Sequence, residues 1–491
     1  MATLPVKVIL AGYNIDKDTL MALMNAAYND GEPPDRETIT PETISAAYAR
    51  ISRNPAEIPE IRAQTRLEVE KARKSNENII FGLGHASVAE HAVFNLDILG
   101  ISRLAVEAVE HHRLASYTEK SQRYIKLDDD YVLPPEIAGT HLESEFLELI
   151  RFQNDTYHTL FPKLRKYFTE LYSQEGQSSS EGPAKSRAAE DARYVVSLST
   201  QAQLGMTINA RTLEFMTRSC LAHPLQEVNY FGEQLRDAVI GLAPSLVKYV
   251  STTAYEESVA ENTCWWSDSQ ENVGDEVKLI HADQDGEEHV LATVLMKFDS
   301  LGYGDALLKI KEMAATEKKA LVGRVLQHCA PWDPPPREFE LANYTFELII
   351  SSTAFAQLKR HRISTQLWGP YNPSLGCTIP DSVQEVNETV RFNEVMERSA
   401  ELAGKIAELN EAAAPYALTN ANRRKVIFHA NAREMQHFSR LREDIHAQWD
   451  IRRLATKMVT LARRVTPALM LMAAGKHEFS QRREEVFGTK E

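Results

Sequence analysis

Apolar positions along the chain alternate briefly at its start and then fall mostly into helical spacing. VKVILAG, residues 6–12, is short and apolar enough to predict a first strand. TPETISAAYARISR, residues 40–53, predicts a helix with Thr40 as its cap and Pro41 at its first position, where a missing N–H costs nothing. A charged stretch over 60–77 leads to GLGHASVAEHAVFNLDI, residues 82–98. There a glycine turn hands over to a helix start, which runs on into a more alternating stretch. Helical spacing returns over 99–112 and 187–218, while SQEGQSSSEGPAKS, residues 173–186, has no apolar anchor and predicts a solvent-exposed loop or insertion. After a composition break near 256–275, residues 276–298 predict a β-hairpin turning at Asp285-Gly286. Helices dominate from about residue 305, interrupted by APWDPPPRE, residues 330–338.

Length and composition narrow the class. A chain of 491 residues exceeds one growing core and implies two to four domains. A formal net charge of −14 argues against wrapping a nucleic-acid polymer but leaves room for a local basic pocket that holds a phosphate. Cys220, Cys264, Cys329 and Cys377 are scattered and form no CxxC pair, so neither a zinc knuckle nor a disulfide scaffold is expected, and a reducing cytoplasm is the expected setting. The first residues read as a strand rather than a signal peptide, and no apolar run reaches the roughly 18 residues of a membrane span, so no membrane partner is expected.

Two polar clusters change the picture from fold to chemistry. HHRLASYTEKSQRY, residues 111–124, is answered by RHRISTQLWGPYNP, residues 360–373, and NAR at 209–211 by NAR at 431–433. Two matches in the same order, in similar helical settings, make an internal duplication the better reading, with one domain over 1–255 and a second, degenerate one over 256–491. On a helix or in a loop, Glu119, Ser121 and Arg123 bring an acceptor, a hydroxyl and a guanidinium together, a set suited to a polar heterocycle beside an anion; a surface ion-pair patch is the plainer alternative. GHASVAEH offers His85, Ser87, Glu90 and His91, but without HExxH or a marked third ligand no metal is expected. Residues 431–455 concentrate Arg433, Arg440, Arg442, Arg452 and Arg453, which in an acidic protein fits a small phosphorylated ligand; a helix whose arginines merely face water is the alternative.

These segments resemble the flavin-dependent thymidylate synthases (the ThyX family), whose signature is RHR, seven residues, then Ser, followed shortly by Arg-Tyr. This chain has His111, His112, Arg113, then Ser121, Arg123 and Tyr124, and lacks only the first arginine. GHASVAEH, EDARYVV at 190–196 and both NAR segments resemble further family motifs in the same order. The resemblance implies an α+β fold of two tandem domains, each a small mixed or antiparallel sheet with a layer of long helices. It implies FAD as cofactor, a pyrimidine nucleotide (2′-deoxyuridine 5′-monophosphate) as substrate, methylenetetrahydrofolate as one-carbon donor and NADPH as reductant, with methylation at C5 of the uracil and no cysteine nucleophile.

Carried over by motif, His85, Ser87, Glu90, His112, Arg113, Asn209 and Arg211 would contact the flavin in the first half, and Arg360, His361, Arg362, Asn431 and Arg433 in the second. Glu119, Ser121, Arg123 and Arg193 would hold the nucleotide and support catalysis, with Gln357 and Arg442 as further nucleotide contacts. The departures are complementary. Cys220 stands where the second half has Arg442, and Ala108 where it has Gln357. Trp368, Pro370 and Asn372 replace Glu119, Ser121 and Arg123, Pro415 replaces Arg193, and Leu341 replaces His91. Because family members are tetramers with shared sites, the resemblance implies a homodimer equivalent to a tetramer, whose composite sites draw on unlike halves. A flavoenzyme acting on another uridine nucleotide and a non-catalytic nucleotide-binding or scaffolding homologue are the alternatives.

Overall fold

The computed structural model describes residues 4–29, 31–123, 127, 129–174, 181–270 and 273–488. The chain divides into two compact units: Met1–Thr263 with Glu397–Leu418, and Cys264–Met396 with Thr419–Glu491. Each holds a four-stranded antiparallel sheet of the same design. In the first unit β1 (Lys7–Tyr13), β2 (Val93–Ser102), β3 (Ala115–Glu119) and β4 (Gln201–Asn209) are ordered β1-β2-β4-β3. In the second, β5 (Val277–Ala282), β6 (Asn343–Ser351), β7 (Thr365–Tyr371) and β8 (Arg423–Asn431) are ordered β5-β6-β8-β7.

The alternation expected of a sheet with one buried face is plain in the central strands. In β4, Ala202, Leu204, Met206 and Ile208 are buried; in β8 the buried positions are Arg424, Val426, Phe428 and Ala430. Helices repeat in register with the strands. Ser102 ends β2 and caps the helix Arg103–Glu110, its Oγ accepting from the Ala105 N–H at 3.0 Å. Ser351 ends β6 and caps Ser352–Leu358 through the Ala354 N–H, also at 3.0 Å. The sheets differ in register: β2 slips between Ile98 and Ile101 where β6 does not, and β7 slips against β8 between Trp368 and Tyr371 where β3 against β4 does not. Gly100 sits in the β2 slip at φ +66°, where a Cβ would meet the Pro5 carbonyl oxygen at 2.5 Å.

In the first unit the long helix Glu143–Gln174 packs with the segment from the second half of the sequence. Gln153 Nε2 donates to Ser399 Oγ (2.9 Å) and to the Ala417 carbonyl (3.0 Å), and the Leu198 N–H donates to the Leu418 carbonyl (2.9 Å).

Several expectations need correction. Residues 276–298 are not a hairpin: β5 pairs with β6, and Gly286–Asp299 is a helix whose buried Val290, Leu291, Val294 and Leu295 follow helical spacing. The helical reading of 187–218 misses a strand. Glu181–Ala192 is helical, Arg193–Val195 is a 3₁₀ turn, β4 follows, and NAR marks the start of Ala210–Leu221. The stretch 82–98 gives only a 3₁₀ segment, Ala86–His91, before β2, which runs on through Ser102. Pro41 is itself the N-cap residue of Glu42–Arg50, although Thr40 Oγ1 still accepts from the Glu42 N–H (3.2 Å). Within the polar tract, residues 181–186 are helical; residues 175–180, like Tyr124, lie outside the described residues.

Candidate functional site

In the first unit the helix after Ser102 and the end of β3 place Arg103 against Glu119 in an ion pair, both side chains buried. Burial acts to depress the Arg103 pKa, but Glu119, with Glu110 and Glu107, holds it above the usual value. Beyond β3, Ser121 Oγ accepts from the Arg123 N–H (3.2 Å), and Arg123 Nε lies 2.5 Å from Glu190 Oε2. The other oxygen of that carboxylate is 2.7 Å from Arg187 Nη1, and Arg187 Nε is 3.7 Å from Asp191 Oδ2. Arg193, at the next turn, is buried. Desolvation lowers its pKa; Glu190 opposes that, while Arg123 and Arg103 add to it.

The Arg103–Glu119 and Arg123–Glu190 pairs and the buried Arg193 thus lie close together within this unit, with Ser121 beside Arg123. Arg103, Arg187 and Glu190 were not assigned from sequence. The i,i+3 spacing of Arg187 and Glu190, just before Arg193, is the signal that would have found that pair. Two guanidiniums share the Glu190 carboxylate, and a third is buried close by. A phosphate presents acceptor oxygens that a guanidinium pairs with as it does with a carboxylate.

The other first-half residues lie along the NAR helix and the segment before β2. His85 and Ser87 are exposed. Glu90 Oε1 accepts from Arg211 Nη1 at 2.6 Å, and Asn209 caps Ala210–Leu221 through the Thr212 N–H (2.9 Å). Arg113 is exposed, whereas His112 is 6% exposed. Neither ring nitrogen of His112 has a partner of hydrogen-bond geometry; the Val109 and Ala108 carbonyls lie close enough only to offset slightly what burial and His111 do. Its pKa is pushed down to about 4, so the imidazole is neutral, with one donor and one acceptor unused. The Phe215 ring packs 5.3 Å away.

In the second unit the matching histidine is held on both sides. Arg442 Nε donates to His361 Nε2 (2.9 Å), and Arg442 Nη1 donates to Gln357 Oε1 (3.3 Å). Since Arg only donates, Nε2 carries the lone pair, and Nδ1–H donates to Glu434 Oε1 (2.9 Å). Burial, then Arg442 and His437, hold the His361 pKa well below its usual value, so the Glu434 contact is a hydrogen bond to a neutral ring. Burial raises Glu434 to about 7, against His437 and Arg433. Asn431 caps Ala432–Arg442 through the Glu434 N–H (2.9 Å), and Arg433 pairs with Glu340 (3.0 Å) as Arg211 does with Glu90. Arg360 and Arg362 are exposed.

The losses are visible as geometry. Where Arg442 stands, the first half has Cys220, buried, its thiol pushed up to about 12 by desolvation. Where Glu434 stands, it has Thr212. In the second unit Asn372, at the position of Arg123, donates Nδ2 to the Ser269 carbonyl (2.9 Å) instead of holding a carboxylate. Among the described residues no group of three or more His, Cys, Asp or Glu is placed to hold a metal, and no helix is long and apolar enough to cross a membrane.

Twin antiparallel sheets, each followed by an Asn-capped helix with an Arg–Glu pair, define a tandem α+β protein with an arginine–carboxylate cluster in one half. The family profile described as thymidylate synthase complementing protein matches residues 36–245 and 278–468, and the chain belongs to that family, matching it twice. A flavin-dependent thymidylate synthase of Clostridium tetani is 33% identical over 215 residues, 43% of this chain and 83% of that protein. Two UPF0159 proteins align over much more of the chain. The one from Thermoplasma acidophilum is 25% identical over 471 residues (86% of this chain, 93% of that protein), and the one from Chlamydia muridarum 25% over 421 (80% and 79%).

Proposed function

We propose that the chain is a flavin-dependent enzyme that methylates a uracil nucleotide at C5, converting dUMP to dTMP with methylenetetrahydrofolate as carbon donor and NADPH as reductant. The observation that carries this reading is the cluster of Arg123, Arg187 and Arg193 around Glu190 in a chain of this family.

The first-half residues fit FAD. His112 presents a buried neutral imidazole whose nitrogens the chain leaves without good partners, which suits the heteroatom-rich edge of a flavin. Arg113 and Arg211 supply cations for its phosphates. The bound flavin supplies hydride transfer; the chain supplies position and field. Arg123 takes the nucleotide phosphate in exchange for Glu190, while Ser121 and Glu119 orient the sugar and base. Arg193, buried and poorly solvated, stabilises negative charge developing on the uracil ring. Cys220, its thiol buried and near 12, is unsuited to act as a nucleophile.

The complementary losses support a composite site in which Gln357 and Arg442 complete the nucleotide's contacts when copies of the chain assemble as a dimer. Absorption spectra of the purified protein, followed by calorimetric titration with dUMP against UMP, test the reading. A flavin band and saturable dUMP binding are expected. Absence of both FAD uptake by the apo-protein and nucleotide binding would sink it, and a preference for UMP would move the substrate to the ribonucleotide.

A further inference from the structure

Arg424 occupies a core-facing position of β8, in phase with Val426, Phe428 and Ala430. The two sheets can be laid on one another by their own pairing. Ala202 faces Ile101 as Arg424 faces Ile350, and Glu119 faces Leu204 as Trp368 faces Val426. The second half therefore carries a buried arginine where the first leaves a methyl group, just inside the strand end that bears Glu119.

That arginine lies among aromatic rings. Its guanidinium carbon is 4.2 Å from the ring centroid of Tyr371, 5.3 Å from Phe355 and 5.8 Å from Trp368. Its Nε and Nη2 donate to the Gly369 carbonyl at 3.2 and 2.9 Å. Tyr371 and Phe355 are each 1% exposed, and Arg424 itself is 5% exposed. The corresponding first-half residues are Val106, Glu119 and Gln122, none of them aromatic. Outside this cluster the strand end is covered by a segment of the same unit: the Ser267 N–H donates to the Tyr371 carbonyl (3.3 Å), and Ser374 Oγ donates to the Ser269 carbonyl (2.7 Å). A guanidinium set among aromatic rings, with two hydrogen bonds to one carbonyl, has the contacts of a bound cationic ligand.

We infer that the second half's copy of the nucleotide grip is closed by its own side chain, with Arg424 held in an aromatic box where the first half has Ala202. The chain therefore has one working grip, at β3, and the β7 end takes no nucleotide. The identity of the ligand excluded rests on the function proposed above; the closure itself does not.

Two measurements test it. Calorimetric titration of the intact protein with dUMP is expected to saturate at one nucleotide per chain; two equivalent sites per chain overturn the inference. Arg424→Ala vacates the box, and methylguanidinium at millimolar concentration is expected to fill it, raising the melting temperature of the variant by several degrees while leaving the wild type unchanged. A variant as stable as the wild type and indifferent to methylguanidinium overturns the closure. If Arg424→Ala does not fold, Arg424→Gln keeps a planar donor of shorter reach and is expected to show a smaller shift in the same direction; none overturns the closure. If the wild type binds no dUMP but the variants respond to methylguanidinium, the nucleotide reading fails and the closure stands.

Discussion

His112 and His361 stand at the same place in two copies of one fold, and their surroundings have been divided between them. His361 has Arg442 on one nitrogen and Glu434 on the other; in the first half those two positions are Cys220 and Thr212, and His112 has neither group. In the opposite sense, the strand end after His112 keeps Glu119, Ser121 and Arg123 with Arg193 behind them, while the one after His361 is filled by Trp368, Arg424 and Asn372. A buried imidazole left without partners costs roughly 1–3 kcal/mol, so it persists where something other than folding recovers the loss. The two copies of one histidine position thus differ in how well the chain itself pairs the ring.

The sharpest way to break this comparison is at Arg193. Arg193→Ala is expected to lower turnover about 10²–10³-fold, with flavin binding retained, because a buried guanidinium that meets developing charge acts mainly in the transition state. Pro415→Ala, at the matching position, is expected to leave turnover within about twofold. Equal effects in steady-state assays would mean that the halves have not diverged in chemistry.

Next come the two candidate phosphate arginines. Arg123→Ala and Arg442→Ala are each expected to cost about 1.5–3 kcal/mol of nucleotide affinity by calorimetry, with the double variant losing less than the sum if both hold one ligand. Cys220→Ala is expected to change affinity little. Normal binding by Arg442→Ala together with a large loss in Cys220→Ala would show that each half works alone.

The histidine clamp gives a smaller effect with a definite sign. Glu434 is raised to about 7, so its contribution to stability is present below its ordinary carboxylate pKa and is lost as pH rises through 7. His361 is depressed, so its contribution is present above the usual imidazole pKa and is lost as pH falls. Glu434→Gln is therefore expected to gain roughly 2 kcal/mol relative to wild type between pH 5 and pH 8, read from denaturant unfolding at each pH. A flat difference across that range would mean that Glu434 titrates normally.

The helix caps should show where the halves have not diverged. Ser102→Ala and Ser351→Ala remove the same N-cap contact and are each expected to cost about 1–2 kcal/mol of unfolding free energy, with the two values close. A large difference would place the asymmetry in the scaffold as well as in the site.

Much of this organisation is legible along the chain. The ordered HHR/RHR and NAR pairs reveal the duplication, and the substitutions between them mark which half kept which group. Both Asn residues of the NAR triplets cap helices in the same way. The strand preceding each was hidden, because residues 201–209 read as part of a helical run until β2 and β3 pair on either side of them. The supposed hairpin failed for a related reason: Asp-Gly is a turn signal only when a strand follows, and Gly286–Asp299 carries helical spacing instead.

The repeat, its motif order and the residue types available in each half can be read along the chain, because they depend on neighbours a few positions apart. That Arg123 and Arg187 share Glu190, that His361 is clamped and His112 is not, and that Arg424 is buried against Tyr371 follow from the folded chain alone. Those outcomes depend on which distant segments exclude water from a charged or polar group. An arginine reads the same in sequence whether it faces solvent, a carboxylate or an aromatic ring, and burial separates the three.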